Sequence, residues 1–210
     1  MFRTIRTARS ARTARSTRTA VAAALGALAL TAVTAAAPAG ATPTETTAAA
    51  RVNGSARIHY APSPNDDIRF TIDAEGVPYT HPVPGLPTGL PTDARGTVHF
   101  SHRTASGDLR EADATVDCLA TGGPVATLSA VITKSNGIPA GERIGLSIYD
   151  AHGHGRDRLG FSWGVANMDL DKDGNPYQPV VGTCMAPAPF APVTRGTFTV
   201  HSVELTDAPS

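Results

Sequence analysis

The segment Ile68-Arg69-Phe70-Thr71-Ile72-Asp73 carries the pattern that decides the fold of this chain. Apolar residues occupy every second position, and polar side chains fill the positions between them. Successive side chains of a β-strand point to opposite faces, so this alternation is typical of a strand with one face on a core and the other in solvent. The segment therefore predicts a half-buried strand.

The same alternation recurs after Val52 and predicts about nine short strands. Apart from residues 68–73, it marks residues 56–60, 97–101, 111–118, 126–132, 144–148, 159–165, 180–184 and 197–205. Beyond the first 41 residues, no stretch shows the apolar spacing of an amphipathic helix. Because 20 Gly and 17 Pro punctuate the chain, we expect an all-β domain, either an antiparallel sandwich or a barrel.

Residues 76–93 interrupt the pattern with prolines at positions 78, 82, 84, 87 and 91. Proline has no backbone N–H to donate to a β-ladder and is excluded from central strands. We therefore predict a long Pro-rich surface loop over residues 76–93, within a single β-domain that spans residues 52–206.

The first 41 residues have the composition of a secretory signal peptide. Six arginines and no acidic residue precede an apolar stretch over residues 20–37, and Ala39-Gly40-Ala41 offers the small residues that signal peptidase accepts. Residues 42–51 then predict a disordered spacer. The sequence thus predicts a secreted, extracellular protein with no membrane span after cleavage. The alternatives are a retained membrane anchor and a mitochondrial transit peptide.

Removal of this leader changes the net charge. The leader contains six of the 18 Lys and Arg and none of the 18 Asp and Glu, so residues 42–210 carry 12 basic and 18 acidic side chains, a net charge of −6. Nucleic acids and anionic membranes attract basic surfaces. We therefore expect no nucleic-acid partner, and the hypotheses for a partner are a cell-envelope component or another protein.

The two cysteines of the chain are Cys118 and Cys184. In an oxidising compartment an isolated pair most simply forms a disulfide. Closing so long a loop would stabilise the fold by about 4 kcal/mol through chain entropy. We predict the bridge, with two buried free thiols as the alternative.

A calcium-loop pattern, D-x-D-x-D-G, occurs at residues 169–174. Carboxylate and carbonyl oxygens are the ligands that calcium prefers. The second half of the pattern is absent, because Val180 stands where a bidentate Glu is expected. The loop is either a calcium site that stabilises the domain or a solvated hairpin turn. The candidate ligands are Asp169, Asp171, Asp173 and Asn175.

A second candidate metal site is the turn over residues 150–157. An extended His-x-His sequence, here His152 and His154, places both imidazoles on one side, where Asp150 or Asp157 could add a ligand for zinc or copper. A polar loop without metal is the alternative.

Residues 160–164 match the G-x-S-x-G motif of serine hydrolases, with Ser162 as the nucleophile and His201 further along the chain. That motif requires a strand that turns sharply into a helix. Because the alternation at residues 159–165 predicts a continuing strand, we expect Ser162 to be an outward polar residue and Phe161 and Trp163 to be core anchors. The predicted function is a non-catalytic interaction or cell-envelope domain, and a secreted serine hydrolase is the alternative.

Several short runs carry a resemblance to a known family. They are Asp117-Cys118-Leu119, Gly122-Gly123-Pro124-Val125, Ser147-Ile148-Tyr149-Asp150, residues 157–164, Cys184 and residues 196–200. In these runs the chain resembles an uncharacterised family of secreted actinobacterial β-domains that are often automatically named "repetin". The resemblance covers residues 52–205. It implies a secreted all-β domain and assigns no catalytic residue.

Overall fold

Eight antiparallel strands form one closed barrel in the computed structural model, which describes residues 48–208. The predicted signal peptide and residues 42–47 of the predicted spacer lie outside the described residues. Two further strands form a small separate hairpin. The strands are β1 (Arg51–Ile58), β2 (Asp67–Gly76), β3 (Ala94–Arg103), β4 (Leu109–Gly122), β5 (Val125–Ser135), β6 (Arg143–Tyr149), β7 (Arg158–Phe161), β8 (Asp169–Leu170), β9 (Pro176–Tyr177) and β10 (Ala191–His201).

The order of the strands around the barrel follows the sequence. Strands β1 to β7 lie side by side in chain order, and β10 closes the barrel by pairing with both β7 and β1. Residues 48–208 contain no α-helix, and a single 3-10 turn spans Gly164–Asn167. The all-β prediction is confirmed, and the barrel is the correct one of the two predicted architectures. No helix among these residues is long and apolar enough to cross a membrane.

The inward-facing residues of the strands form the core. Strand β2 shows the pattern, since Ile68, Phe70, Ile72 and Ala74 are buried while the residues between them are mostly exposed. An eight-stranded barrel is just wide enough for side chains to fill its interior or to hold one small ligand. Which of these applies depends on the two ends of the barrel.

Antiparallel strands place their connections at two ends. The proline end holds the Pro-rich residues 77–93, the hairpin between β4 and β5, and the turn 150–157. The aromatic end, so named for Tyr60, Trp163 and Phe190 in its connections, holds residues 59–66, 104–108, 136–142 and the long excursion 162–190.

A buried carboxylate organises the Pro-rich loop. Asp93 is 3% exposed, and its Oδ2 accepts hydrogen bonds from the backbone N–H groups of Thr80, His81 and Leu90 at 3.0, 2.8 and 3.0 Å. The prolines prevent this loop from joining the sheet, and Asp93 supplies the acceptor that the backbone needs instead. The predicted loop therefore lies between β2 and β3.

The junction between β7 and β10 is completed by side chains. The four-residue strand β7 pairs with β10 only at Ala191 and Pro192. Further along β10, the N–H of Phe198 donates to Asp157 Oδ2 at 2.9 Å, and the N–H of Val200 donates to Asp150 Oδ2 at 3.0 Å. Two carboxylates thus replace the carbonyls of a missing strand and cover an edge that would otherwise be free to pair.

The environment of Asp157 shows why this arrangement favours the ionised form. Burial alone would raise the pKa of Asp157, but hydrogen bonds from the Thr197 hydroxyl and from the N–H groups of Phe198 and Ala151 outweigh it. The pKa of Asp157 therefore lies below its usual value.

The disulfide Cys118–Cys184 is confirmed, with its Cα atoms 5.4 Å apart. It joins the buried Cys118 of β4 to the excursion 162–190, and the N–H of Cys184 also donates to Ser129 Oγ at 3.0 Å. The bridge fixes the later part of a long segment between β7 and β10 to the barrel wall.

Two of the strand predictions are wrong in part. Strand β7 ends at Phe161 rather than at residue 165, because the chain leaves the edge of β6 there and enters the 3-10 turn. Residues 180–184 form no strand, and Val180 is 96% exposed. Cys184 is held against β4 and β5 by its disulfide to Cys118 and by its hydrogen bond to Ser129 Oγ rather than by backbone pairing.

Candidate functional site

Six aromatic side chains meet at the aromatic end of the barrel. The closest pairs are Phe100 with Trp163, whose ring centroids are 4.6 Å apart, and Phe161 with Trp163, at 4.8 Å. Offset and tilted ring pairs at such distances are favourable beyond the area they bury. The members of this cluster are Tyr60, Phe70, Phe100, Phe161, Trp163 and Phe190.

Strands and connections each contribute three of these rings. Phe70 of β2 and Phe100 of β3 are directly opposite each other in the sheet, and Phe161 is the last residue of β7. Tyr60 follows β1, Trp163 follows β7 and Phe190 precedes β10. The cluster exists because the barrel is closed, since only closure brings β7 and β10 next to β1 and β2.

A cavity of about 260 Å³ opens among these rings. A dry cavity of about 150 Å³ is enough to hold benzene, so this one fits a single substituted ring or a small fused pair. Its wall includes core residues of the barrel, which means that the barrel interior opens at this end. The lining residues are Tyr60, Pro62, Ser63, Ile68, Phe70, Phe100, His102, Phe161, Trp163 and Gly164.

A histidine and an aspartate form the polar rim of the cavity. His102 Nε2 lies 2.6 Å from Asp66 Oδ2, and the N–H of Ala105 donates to Asp66 Oδ1 at 2.9 Å. The hydrogen bond from His102 is the main reason why the pKa of Asp66 lies below its usual value, against the opposing effect of burial. The Ser63 hydroxyl lies beside Asp66 and also lowers its pKa. Asp66 therefore holds His102 in place.

Tyr60 differs from the other polar residues of the lining. Its hydroxyl makes no hydrogen bond to any residue within 48–208, and burial raises its pKa, which keeps the phenol protonated. Its ring is fixed by Phe161, at a centroid distance of 5.2 Å, and by Phe190, at 6.0 Å. Tyr60 thus provides a positioned hydroxyl beside an apolar space.

The structure corrects the prediction for Ser162. Instead of facing outward on a strand, Ser162 is 3% exposed, and its Oγ accepts a hydrogen bond from the N–H of Gly145 at 2.7 Å. Because β7 ends one residue earlier, the side chain of Ser162 turns onto the start of β6. His201 is exposed at the proline end, so the two residues of the proposed hydrolase site lie at opposite ends of the barrel.

The candidate calcium ligands lie in the exposed β8–β9 hairpin. Asp171 Oδ1 accepts hydrogen bonds from the N–H groups of Asp173, at 2.8 Å, and Asn175, at 2.9 Å, and these bonds close the turn. The bonds from Asn175 are the main cause of the lowered pKa of Asp171. Asp169 Oδ1 instead accepts from the N–H of Leu170.

Across residues 48–208, no three His, Cys, Asp or Glu side chains are placed to hold a metal ion. The structure therefore brings neither the three aspartates of residues 169–173 nor the histidines of the turn 150–157 together as a ligand set. In that turn Asp150 and Asp157 bind the backbone of β10, and His152 Nδ1 lies 3.2 Å from Asp150 Oδ2. The calcium site stays a prediction.

The aromatic cavity is the feature that sequence reasoning missed. Each of its rings sits in a strand or beside one, where an aromatic residue is normally part of a core. The sequence does place all six rings of the cluster near strand ends, and the antiparallel order brings these strand ends together at the aromatic end. This can be recognised only once the strand order is known.

Comparisons of the chain with protein-family models, with curated proteins and with solved structures find no match. The resemblance to the secreted β-domains named "repetin" accordingly stays a prediction, and the site is interpreted from its own geometry.

Proposed function

We propose that this protein is a secreted, non-catalytic interaction domain that binds a small ligand in the cavity at its aromatic end. The observation that carries the proposal is the opening of the barrel interior into a space of about 260 Å³ walled by rings. Small-molecule sites are typically concave and mainly apolar, with a few fixed polar groups, and this cavity has that character.

The arrangement of the polar groups supports binding rather than nucleophilic catalysis. A serine nucleophile needs a base within hydrogen-bond reach of its hydroxyl. Here Asp66 is engaged by His102 and by the N–H of Ala105, and Ser162 is buried as an acceptor for the N–H of Gly145. These contacts hold side chains in position around a space, and within residues 48–208 neither the Ser63 nor the Ser162 hydroxyl is hydrogen-bonded to a histidine.

The size of the cavity sets the expected affinity. Burying about 150 Å² of ring surface is worth about 4 kcal/mol, which corresponds to a Kd near 1 mM. Contacts between aromatic rings add about 1 kcal/mol. Single-ring ligands should therefore be tested at millimolar concentration.

The fluorescence of Trp163 can measure ligand binding directly, because Trp163 is the only tryptophan of the chain and lines the cavity. We expect toluene to change the emission of Trp163 in a saturable manner. Ser63→Phe places a ring in the mouth of the cavity and should abolish this change. Asn65→Phe, on the same connection but outside the cavity lining, is the matched control and should retain it. The proposal fails if toluene has no saturable effect, or if both variants respond alike.

The secreted location is supported by the composition of the leader and by the disulfide, which forms readily in an oxidising compartment. The test is to express the full chain in a Gram-positive secretion host and determine the N-terminus of the protein in the medium. We expect Thr42. Recovery of the uncleaved chain in the cells would contradict this part of the proposal.

A further inference from the structure

Resting on the proposed binding function, we infer that the ligand is an uncharged planar molecule of one or two fused rings that carries one hydroxyl or carbonyl oxygen, which accepts a hydrogen bond from Tyr60. A phenol is the simplest member of this class.

The planar shape follows from the walls of the cavity. The rings of Phe100 and Trp163 are inclined by 29° at a centroid distance of 4.6 Å, and those of Phe70 and Phe161 by 27° at 6.1 Å. Ring faces and edges of this kind contact a flat aromatic ligand favourably in offset or edge-to-face geometry. The volume of about 260 Å³ limits the ligand to one ring with a substituent or two small fused rings.

The absence of charge follows from how the rim is paired. Asp66 Oδ2 is paired with His102 Nε2 at 2.6 Å and Asp66 Oδ1 accepts from the N–H of Ala105, so this carboxylate is not left free to bind a ligand ion. A charge placed among Phe70, Phe100 and Phe161 without a partner would lose its hydration and gain no compensating ion pair. A sugar is disfavoured for a related reason, because its several hydroxyl groups would face mostly ring carbons.

The single polar group follows from what remains unengaged. His102 is hydrogen-bonded to Asp66, and Ser63 lies beside that carboxylate, whereas the Tyr60 hydroxyl and the Trp163 indole N–H make no hydrogen bond within the described residues 48–208. The Tyr60 hydroxyl can both donate to and accept from a ligand hydroxyl, whereas the indole N–H only donates. One ligand oxygen satisfies the Tyr60 hydroxyl.

Toluene and p-cresol differ by one hydroxyl and test the inference directly. Calorimetry on the mature domain should show p-cresol binding about two- to tenfold more tightly than toluene, the range expected for one hydrogen bond. Tyr60→Phe keeps the ring and should remove this preference, so that the variant binds p-cresol and toluene with similar affinity. Tyr149→Phe, at the proline end, is the matched control and should keep the preference.

The outcomes separate this inference from the proposed function. If neither compound binds, the proposed function fails and the ligand class fails with it. If toluene binds as tightly as p-cresol, or if Tyr60→Phe retains the preference, binding stands and the ligand class is wrong. Binding of benzoate, benzylamine or methyl glucoside more tightly than p-cresol would likewise overturn the class while leaving the function intact.

Discussion

The two ends of the barrel are closed by different kinds of interaction. At the proline end, the buried carboxylates of Asp93, Asp150 and Asp157 accept hydrogen bonds from backbone N–H groups of the loops and of β10. At the aromatic end, five of the six clustered rings line a cavity. Directional hydrogen bonds specify one backbone arrangement, whereas ring packing tolerates a space that a ligand can fill. The difference supports the proposal that one end stabilises the fold and the other binds a ligand.

The largest effect should come from the disulfide, which fixes the excursion 162–190 to the barrel wall. Replacing both Cys118 and Cys184 with alanine should lower the free energy of unfolding by about 4 kcal/mol, because the bridge closes a loop with a sequence separation of 66. Urea denaturation measures this loss. Toluene binding should also weaken, since the excursion 162–190 carries Trp163. Unchanged stability would mean that other contacts hold the excursion.

The next effect concerns the proline end alone. Asp157→Ala removes the acceptor for the Thr197 hydroxyl and for the N–H groups of Phe198 and Ala151. Leaving such buried donors unsatisfied should cost about 3 kcal/mol of unfolding free energy, with toluene affinity of the folded protein unchanged. The exposed Asp207→Ala is the control and should cost little. If Asp157→Ala instead weakened toluene affinity and left the free energy of unfolding unchanged, the assignment of stability to the proline end and of binding to the aromatic end would be wrong.

A smaller effect is expected from acid. The pKa of Asp157 is lower in the folded protein than its ordinary value, so its contribution to stability is fully present above about pH 4 and is lost as the pH falls through the folded-state pKa. Unfolding free energies measured between about pH 6 and pH 2 should therefore decrease toward acid. Asp157→Asn should make this decrease shallower, and an unchanged slope would contradict the assignment.

The smallest effect is expected from calcium. Because Asp171 already closes its turn through the N–H groups of Asp173 and Asn175, an ion would have to displace these bonds. We expect millimolar calcium to raise the Tm by less than about 1 °C relative to chelator. A larger rise that disappears in Asp171→Ala would establish the calcium site predicted at Asp169, Asp171 and Asp173.

The strands could be predicted from the sequence, because burial of one sheet face imposes alternation on every segment such as 68–73. Closure of the sheet could not be predicted, because the pairing of β1 with β10 joins the first and last strands of the sequence and leaves no local pattern. The end of β7 at Phe161 was missed for the same reason. Residues 159–165 continue to alternate, but after Phe161 the chain departs from β6 and enters the 3-10 turn Gly164–Asn167.

The candidate site could not be predicted from the sequence for a similar reason. Phe70 and Trp163 each fit the pattern of a core residue, and only the closed barrel places them around one cavity. Conversely, Asp150 and Asp157 looked like metal ligands, but their carboxylates are engaged by the backbone of β10. Residue type and spacing show which chemistry is available, whereas the strand order decides which groups meet.

The excursion 162–190 has a practical consequence for protein engineering. Its two ends, Trp163 and Phe190, belong to the aromatic cluster, and Cys184, near the second end, is anchored to β4. The β8–β9 hairpin is exposed and pairs only with itself. A reporter peptide or a fluorophore inserted in place of Lys172 would therefore sit on an exposed turn whose flanking segments both lead to the aromatic cluster.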